Sequence, residues 1–156
     1  MKFRDKILEL TNESLKENPS LFLIDLVISE NSVIKIYIDG DSGVKLNDCI
    51  KISRFLEKNL DREENDFSLE VSSVGVDRPL TIARQFKKNK GRVLEVINLK
   101  GDLMKGELTF SNEEKIGLRW KVRQPKPIGK GKITVEKSTE IEYKNIVEAK
   151  VVILSL

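Results

Sequence analysis

The chain has 156 residues, 39% of them hydrophobic and 34% charged, with a formal net charge of +3. That length suits one domain or two small ones, and the apolar fraction suffices for a core, which excludes a disordered chain. There is no histidine and a single cysteine, Cys49, which excludes His-based triads, His metal sites, Cys-rich zinc sites and an internal disulfide.

In chain order, "MKFRDKILELTNESLKENPS" carries charges every few positions and no uninterrupted apolar core, so it does not read as a signal peptide. Phe3, Ile7 and Leu10, widened by Leu8 and Leu15, predict an amphipathic helix that stops at Asn18-Pro19. "LFLIDLVI" and "VIKIYID" flank the polar link "SENS" and predict a hairpin, with Ile34, Ile36 and Ile38 on one face. "LNDCIKISRFLEKNLD" predicts a second amphipathic helix, capped by Asn47 or Asp48, with Cys49, Ile52, Leu56 and Leu60 as its apolar stripe. "FSLEVSS" alternates as a third strand. The order α-β-β-α-β implies two helices on one face of a three-stranded sheet.

From about residue 82 the texture changes to short strands separated by turn residues: "RVLEVINL", "LMKGELTF", "IGLRWKVR", "ITVEK", "TEIEY" and "VEAKVVILSL". In "IGLRWKVR", Ile116, Leu118, Trp120 and Val122 point one way while Arg119, Lys121 and Arg123 point the other. About five strands in so short a stretch predict a small β-barrel or strongly bent sheet. No apolar run approaches the ~20 residues that span a bilayer, so a soluble cytoplasmic protein is expected, without membrane contact.

Charge divides along the same line. Residues 1–80 hold 11 Lys and Arg against 16 Asp and Glu, and residues 81–156 hold 17 against 9. A basic half of this kind points to phosphate contact, because Lys and Arg supply most non-specific affinity for nucleic acid. Two groups carry the candidate contacts: Lys87, Lys88, Lys90 and Arg92 in "FKKNKGR", and Arg119, Lys121, Arg123, Lys126, Lys130 and Lys132 around the Gly/Pro loop "QPKPIGKGK". Each also fits an ordinary solvated surface.

Enzymatic readings are weak. Asp39, Asp41 and Asp48 form the best carboxylate group for Mg²⁺ and for a metal-dependent nuclease or phosphotransferase, but they lack the calcium-loop spacing and suit a solvated strand-to-helix turn. "PIGKGK" lacks the phosphate-loop spacing. Cys49 lies on an apolar helix face with no histidine to activate it. Trp120 would be a stacking platform if exposed, but its alternation with Ile116 and Leu118 assigns it to the core. No catalytic residue, metal site or cofactor is expected, and no small-molecule substrate.

Between the halves lies "VSSVGVDRPL", and this segment resembles the "SSPGLDRPL"-type stretch of the ribosome maturation factor RimP family; "GVKLNDCIKISRFLEKNLD" is similar to that family's "GVTLDDC…SR…LD" pattern. Val74 and Val76 stand where the family usually has Pro and Leu. The resemblance implies an α+β chain: an N-terminal α-β-β-α-β domain over residues 1–80, then a small Sm-like β-barrel domain over 81–156. It implies a non-catalytic factor for maturation of the small ribosomal subunit, binding the immature particle through rRNA and a ribosomal protein, and a monomer is expected. A general Sm-like RNA-binding regulator is the alternative. At the boundary Gly75 is suited to a positive φ, Pro79 holds Arg78 extended, Asp77 and Arg78 offer hydrogen bonds, and Leu80 is expected to plug between the domains, which makes this stretch an interdomain joint.

Overall fold

A computed structural model describes residues 2–75 and 77–153. The chain divides into two compact units, residues 1–75 and 76–156. Among the described residues no helix is long and apolar enough to cross a membrane.

In the first unit, α1 (Phe3–Leu15) precedes β1 (Leu21–Ile28) and β2 (Val33–Gly40), and α2 (Leu46–Asn59) precedes β3 (Ser68–Ser73). β1 and β2 form an antiparallel hairpin, and β3 returns parallel to β2, giving a sheet of order β1-β2-β3. Parallel return requires a crossover, and α2 supplies it. Ile34, Ile36 and Ile38 are fully buried and share a core with Ile7 and Leu15 of α1 and Cys49, Ile52 and Leu56 of α2. Thr11 sits in that core without cost because its hydroxyl donates to the Ile7 carbonyl at 2.7 Å.

The start of α2 differs from expectation. Lys45, in extended backbone, is the N-cap, and Asp48 acts from inside the first turn, its Oδ2 accepting the Lys45 N–H at 2.9 Å. The apolar stripe fixes the helix face, but the first residue depends on where the Gly43 turn, with φ of +87°, releases the chain. After α2, the Arg62 guanidinium lies 4.2 Å from the Phe67 ring centroid and pairs with Glu57 at 2.8 Å, which holds the polar loop against the sheet.

The second unit begins with α3 (Ala83–Lys88), followed by β4 (Val93–Asn98), β5 (Leu103–Ser111), β6 (Lys115–Pro125), β7 (Lys132–Glu142), a 3-10 turn at Tyr143–Asn145 and β8 (Ile146–Val151). All pairings are antiparallel, in the order β7-β6-β5-β4-β8. Phe86, Leu94, Val96, Leu108, Ile116, Leu118, Ile141 and Ala149 form the core. No pairing joins β7 to β8 among the described residues, so the five strands form a sheet with two edges.

Two features depart from the sequence reading. Short α3 stands where strands and a linker were expected; the Gln85 side chain accepts the Thr81 N–H at 2.8 Å and the Asn89 amide donates to the Gln85 carbonyl at 2.7 Å, closing a helix too short to show a period. "ITVEK" and "TEIEY" are one strand. Ser138, the one residue between the two segments, simply faces Arg119 in an unbroken register.

Candidate nucleic-acid interface

β5 pairs with β6 from Ser111 opposite Ile116 to Glu107 opposite Arg119, whereas β7 follows β6 from Lys115 opposite Glu142 to Pro125 opposite Lys132. Beyond Arg119, therefore, the strands continue as a two-stranded ribbon. Residues 120–125 and 132–137 form its arms, about 20 Å long at the usual strand rise. Loop residues 126–131 close it, with the Lys126 N–H donating to the Gly131 carbonyl at 3.1 Å. Gly129 and Gly131 take φ of +85° and +97°, conformations that side chains other than glycine's resist.

Directly opposed residues share a face in an antiparallel pair. Lys121 with Glu136 and Arg123 with Thr134 therefore form one face, while Trp120 with Lys137, Val122 with Val135 and Gln124 with Ile133 form the other. The ribbon is amphipathic in a double sense: a basic face backs onto an apolar one. Trp120 packs half-buried against the second unit's core, as its alternation implied, and Ile128 at the loop tip is 89% exposed.

The expected row of cations is uneven. Arg119, at the ribbon base, donates to Glu107 and also lies 3.1 Å from Glu136; the hydrogen bond and charge of Glu107, with help from Glu136, raise its pKa. Its charge is already met within the protein. Lys121, Arg123, Lys126, Lys130 and Lys132 are exposed, and no ion pair joins any of them to a carboxylate among the described residues. Residues 120–137 hold six Lys and Arg against one Glu, a net of +5, against +3 for the entire chain. The rest of the molecule is thus net negative. Sequence reading missed the Glu107–Arg119–Glu136 group, because Glu107 reaches Arg119 only through strand pairing, and it missed Lys137 on the opposite face.

Lys87, Lys88, Lys90 and Arg92 lie elsewhere, at the end of α3 and in the turn that follows. Lys88 is half-buried and the other three are exposed. Lys87 and Lys88 also occupy the last helical turn, where cations complement the helix dipole. They form a separate group from the ribbon, on a different element.

The remaining candidates have structural duties. Asp39 is buried and accepts the Gly40 N–H at 2.8 Å, Asp48 holds the start of α2, and no group of three or more acidic, His or Cys side chains among the described residues is arranged to hold a metal ion. Cys49 is buried, and burial, reinforced by the nearby Asp48 charge, pushes its thiol pKa up, away from reactivity. At the boundary, Gly75 and Asp77 are exposed and Arg78 and Pro79 half-buried, while Val76 lies outside the described residues. Leu80 packs against the core of the second unit, its N–H donating to the Ala149 carbonyl at 2.8 Å.

Comparison with known proteins matches the RimP N-terminal domain family model to residues 12–77. A ribosome maturation factor RimP of Christiangramia forsetii is 51% identical over 95% of this chain and 96% of its own length, and one of Flavobacterium psychrophilum is 48% identical over 99% of both. A more distant relative of the same name, from Porphyromonas gingivalis, is 31% identical over 81% of this chain and 82% of its own. With identity near one half sustained from end to end, the chain belongs to the ribosome maturation factor RimP family.

Proposed function

We propose that this protein is a non-catalytic assembly factor that binds the immature small ribosomal subunit in the cytoplasm as a monomer, contacting rRNA and a ribosomal protein. The observation that carries this reading, beyond the names of its relatives, is the segregation of charge. The first unit, residues 1–75, holds 10 Lys and Arg against 15 Asp and Glu, while the second concentrates its excess of cations on the β6–β7 ribbon. A basic projection suits rRNA phosphates, and an acidic unit suits a basic ribosomal protein, since complementary potentials steer encounter and suppress wrong partners. Five antiparallel strands around one buried core support an Sm-like barrel for the second unit. We assign Gly75, Asp77, Arg78, Pro79 and Leu80 to the joint between domains at 1–80 and 81–156.

Co-sedimentation tests the assignment. Purified protein is mixed with free small subunits, complete ribosomes and an equal mass of unrelated RNA, at two salt concentrations. Selective recovery with free small subunits is expected; equal, salt-sensitive recovery with every RNA would refute it in favour of a general RNA-binding role.

A further inference from the structure

We infer that the β6–β7 ribbon grips the phosphate backbone of double-helical RNA and does not read unpaired bases. This deepens the rRNA contact proposed above and rests on it for its biological setting.

Binding of single strands pairs a basic track with exposed aromatic rings on which bases stack. The basic face of the ribbon offers no ring: Lys121, Arg123, Thr134 and Glu136 compose it, and Trp120 belongs to the opposite face and to the core. The nearest ring along that side, Phe110, stands opposite Gly117 in the body of the sheet. Between Phe110 and the unpaired cations lies Arg119 with Glu107 and Glu136, two carboxylates that disfavour a phosphate chain running toward Phe110. An RNA is thereby confined to the outer ribbon, where cations and the Thr134 hydroxyl meet it and the exposed side chain of the loop tip is the aliphatic Ile128, which offers no stacking ring.

The array itself suits a helix. Lys121 and Arg123 come from one strand, Lys132 from the other, and Lys126 and Lys130 from the loop, so the cations spread over a surface about 5 Å between strands and about 20 Å long. A duplex presents roughly twice the charge per unit length of a single strand, and double-stranded RNA is recognised by shape, phosphate and 2′-hydroxyl contacts more than by base edges. A ribbon with cations on both strands meets that density; a single strand meets only part of it.

The test is fluorescence anisotropy of the full chain with a fluorescein-labelled RNA hairpin and a labelled unstructured RNA of equal length, across a salt series. The proposal expects tighter binding of the hairpin, and a fall of about three in the slope of log K against log salt when Lys126, Lys130 and Lys132 are all replaced by alanine. A charge-matched control, Lys115→Gln with Lys144→Gln and Lys150→Gln, removes three cations already paired with Glu140, Glu142 and Glu148 and should leave the slope within about one unit of wild type. Equal or tighter binding of the single strand, or an unchanged slope in the triple variant, would overturn the grip. Co-sedimentation separates this claim from the one beneath it. Wild-type protein that prefers the hairpin but ignores free small subunits would defeat the assembly-factor reading and uphold the grip; wild type and triple variant recovered equally with small subunits would do the reverse.

Discussion

Gly117 lies in β6 opposite Phe110 of β5, where a register shift between Leu108 and Phe110 carries the aromatic ring over the glycine. A Cβ at Gly117 would stand 2.4 Å and 2.6 Å from Phe110 Cε1 and Cδ1 and 2.8 Å from Thr109 Oγ1. Ordinary carbon contacts are about 3.5–4.0 Å, so Gly117→Ala must displace the ring by about 1 Å or force it to another rotamer, at a cost of about 1–3 kcal/mol. Opposing this, alanine in a strand interior is favoured over glycine by about 0.5–1 kcal/mol. A net destabilisation of about 1–2 kcal/mol is expected. Trp120, the single tryptophan, lies three residues along β6 and packs against the core of the second unit, so its fluorescence during urea unfolding reports that unit. The decisive variant is the double substitution. With Phe110→Ala in place only the Thr109 Oγ1 contact remains, which rotation of that side chain can relieve, so adding Gly117→Ala should cost much less than in the wild type, giving a coupling energy of about 1–3 kcal/mol. Additive effects in the two backgrounds would refute the idea that the ring and the glycine occupy one shared space.

Leu56→Ala should empty the centre of the first unit's core, where Leu56 is fully buried beneath α2, and lower stability by about 2–5 kcal/mol in urea unfolding followed by far-ultraviolet circular dichroism. Asp48→Ala should cost about 1 kcal/mol by the same measurement, since it removes the acceptor for the Lys45 N–H at the start of α2. Cys49 should react with a thiol reagent such as dithionitrobenzoate far more slowly in the native protein than after denaturation. Its raised pKa keeps the thiol protonated to higher pH, so the rate should rise only above the range in which an ordinary cysteine ionises; a native rate equal to the denatured one would contradict burial. Arg119→Ala should change the salt dependence of hairpin binding less than Lys121→Ala, because Glu107 and Glu136 already occupy Arg119; a larger effect for Arg119 would place the phosphates nearer the ribbon base.

Periodicity made much of this fold readable in advance. The Ile34, Ile36 and Ile38 alternation and the Cys49, Ile52 and Leu56 stripe each mark one buried face, and the structure joins those faces in one core. Where the signal was short or locally polar it failed. Six-residue α3 has too few turns to display a period, and its closing bonds come from the Gln85 and Asn89 side chains, whose partners spacing alone does not reveal. Ser138 imitates a turn because a polar residue is cheap at an exposed position of an edge strand. Within the candidate site the exposed lysines were legible as composition, but their usefulness was not. Arg119 appeared equivalent to Lys121 and Arg123, and only the pairing of β5 with β6 brings Glu107 within reach of it.

That difference also explains how the ribbon can be charged without weakening the fold beneath it. The core ends near Leu118, and beyond Arg119 each β6 residue pairs with β7 alone. Cations placed on such a projection remain hydrated, so they escape the desolvation penalty that a charge pays inside a core. Repulsion among them is limited by the opposite face, where the opposed Val122 and Val135 support the register. Arg119 stands at the transition, and there two carboxylates meet it, holding β5, β6 and β7 together at the last point where all three strands are present. The division of labour predicts different consequences for different charges: removing Glu107 or Glu136 should loosen the ribbon's root, whereas removing Lys126, Lys130 or Lys132 should leave the fold intact and alter only what the ribbon attracts.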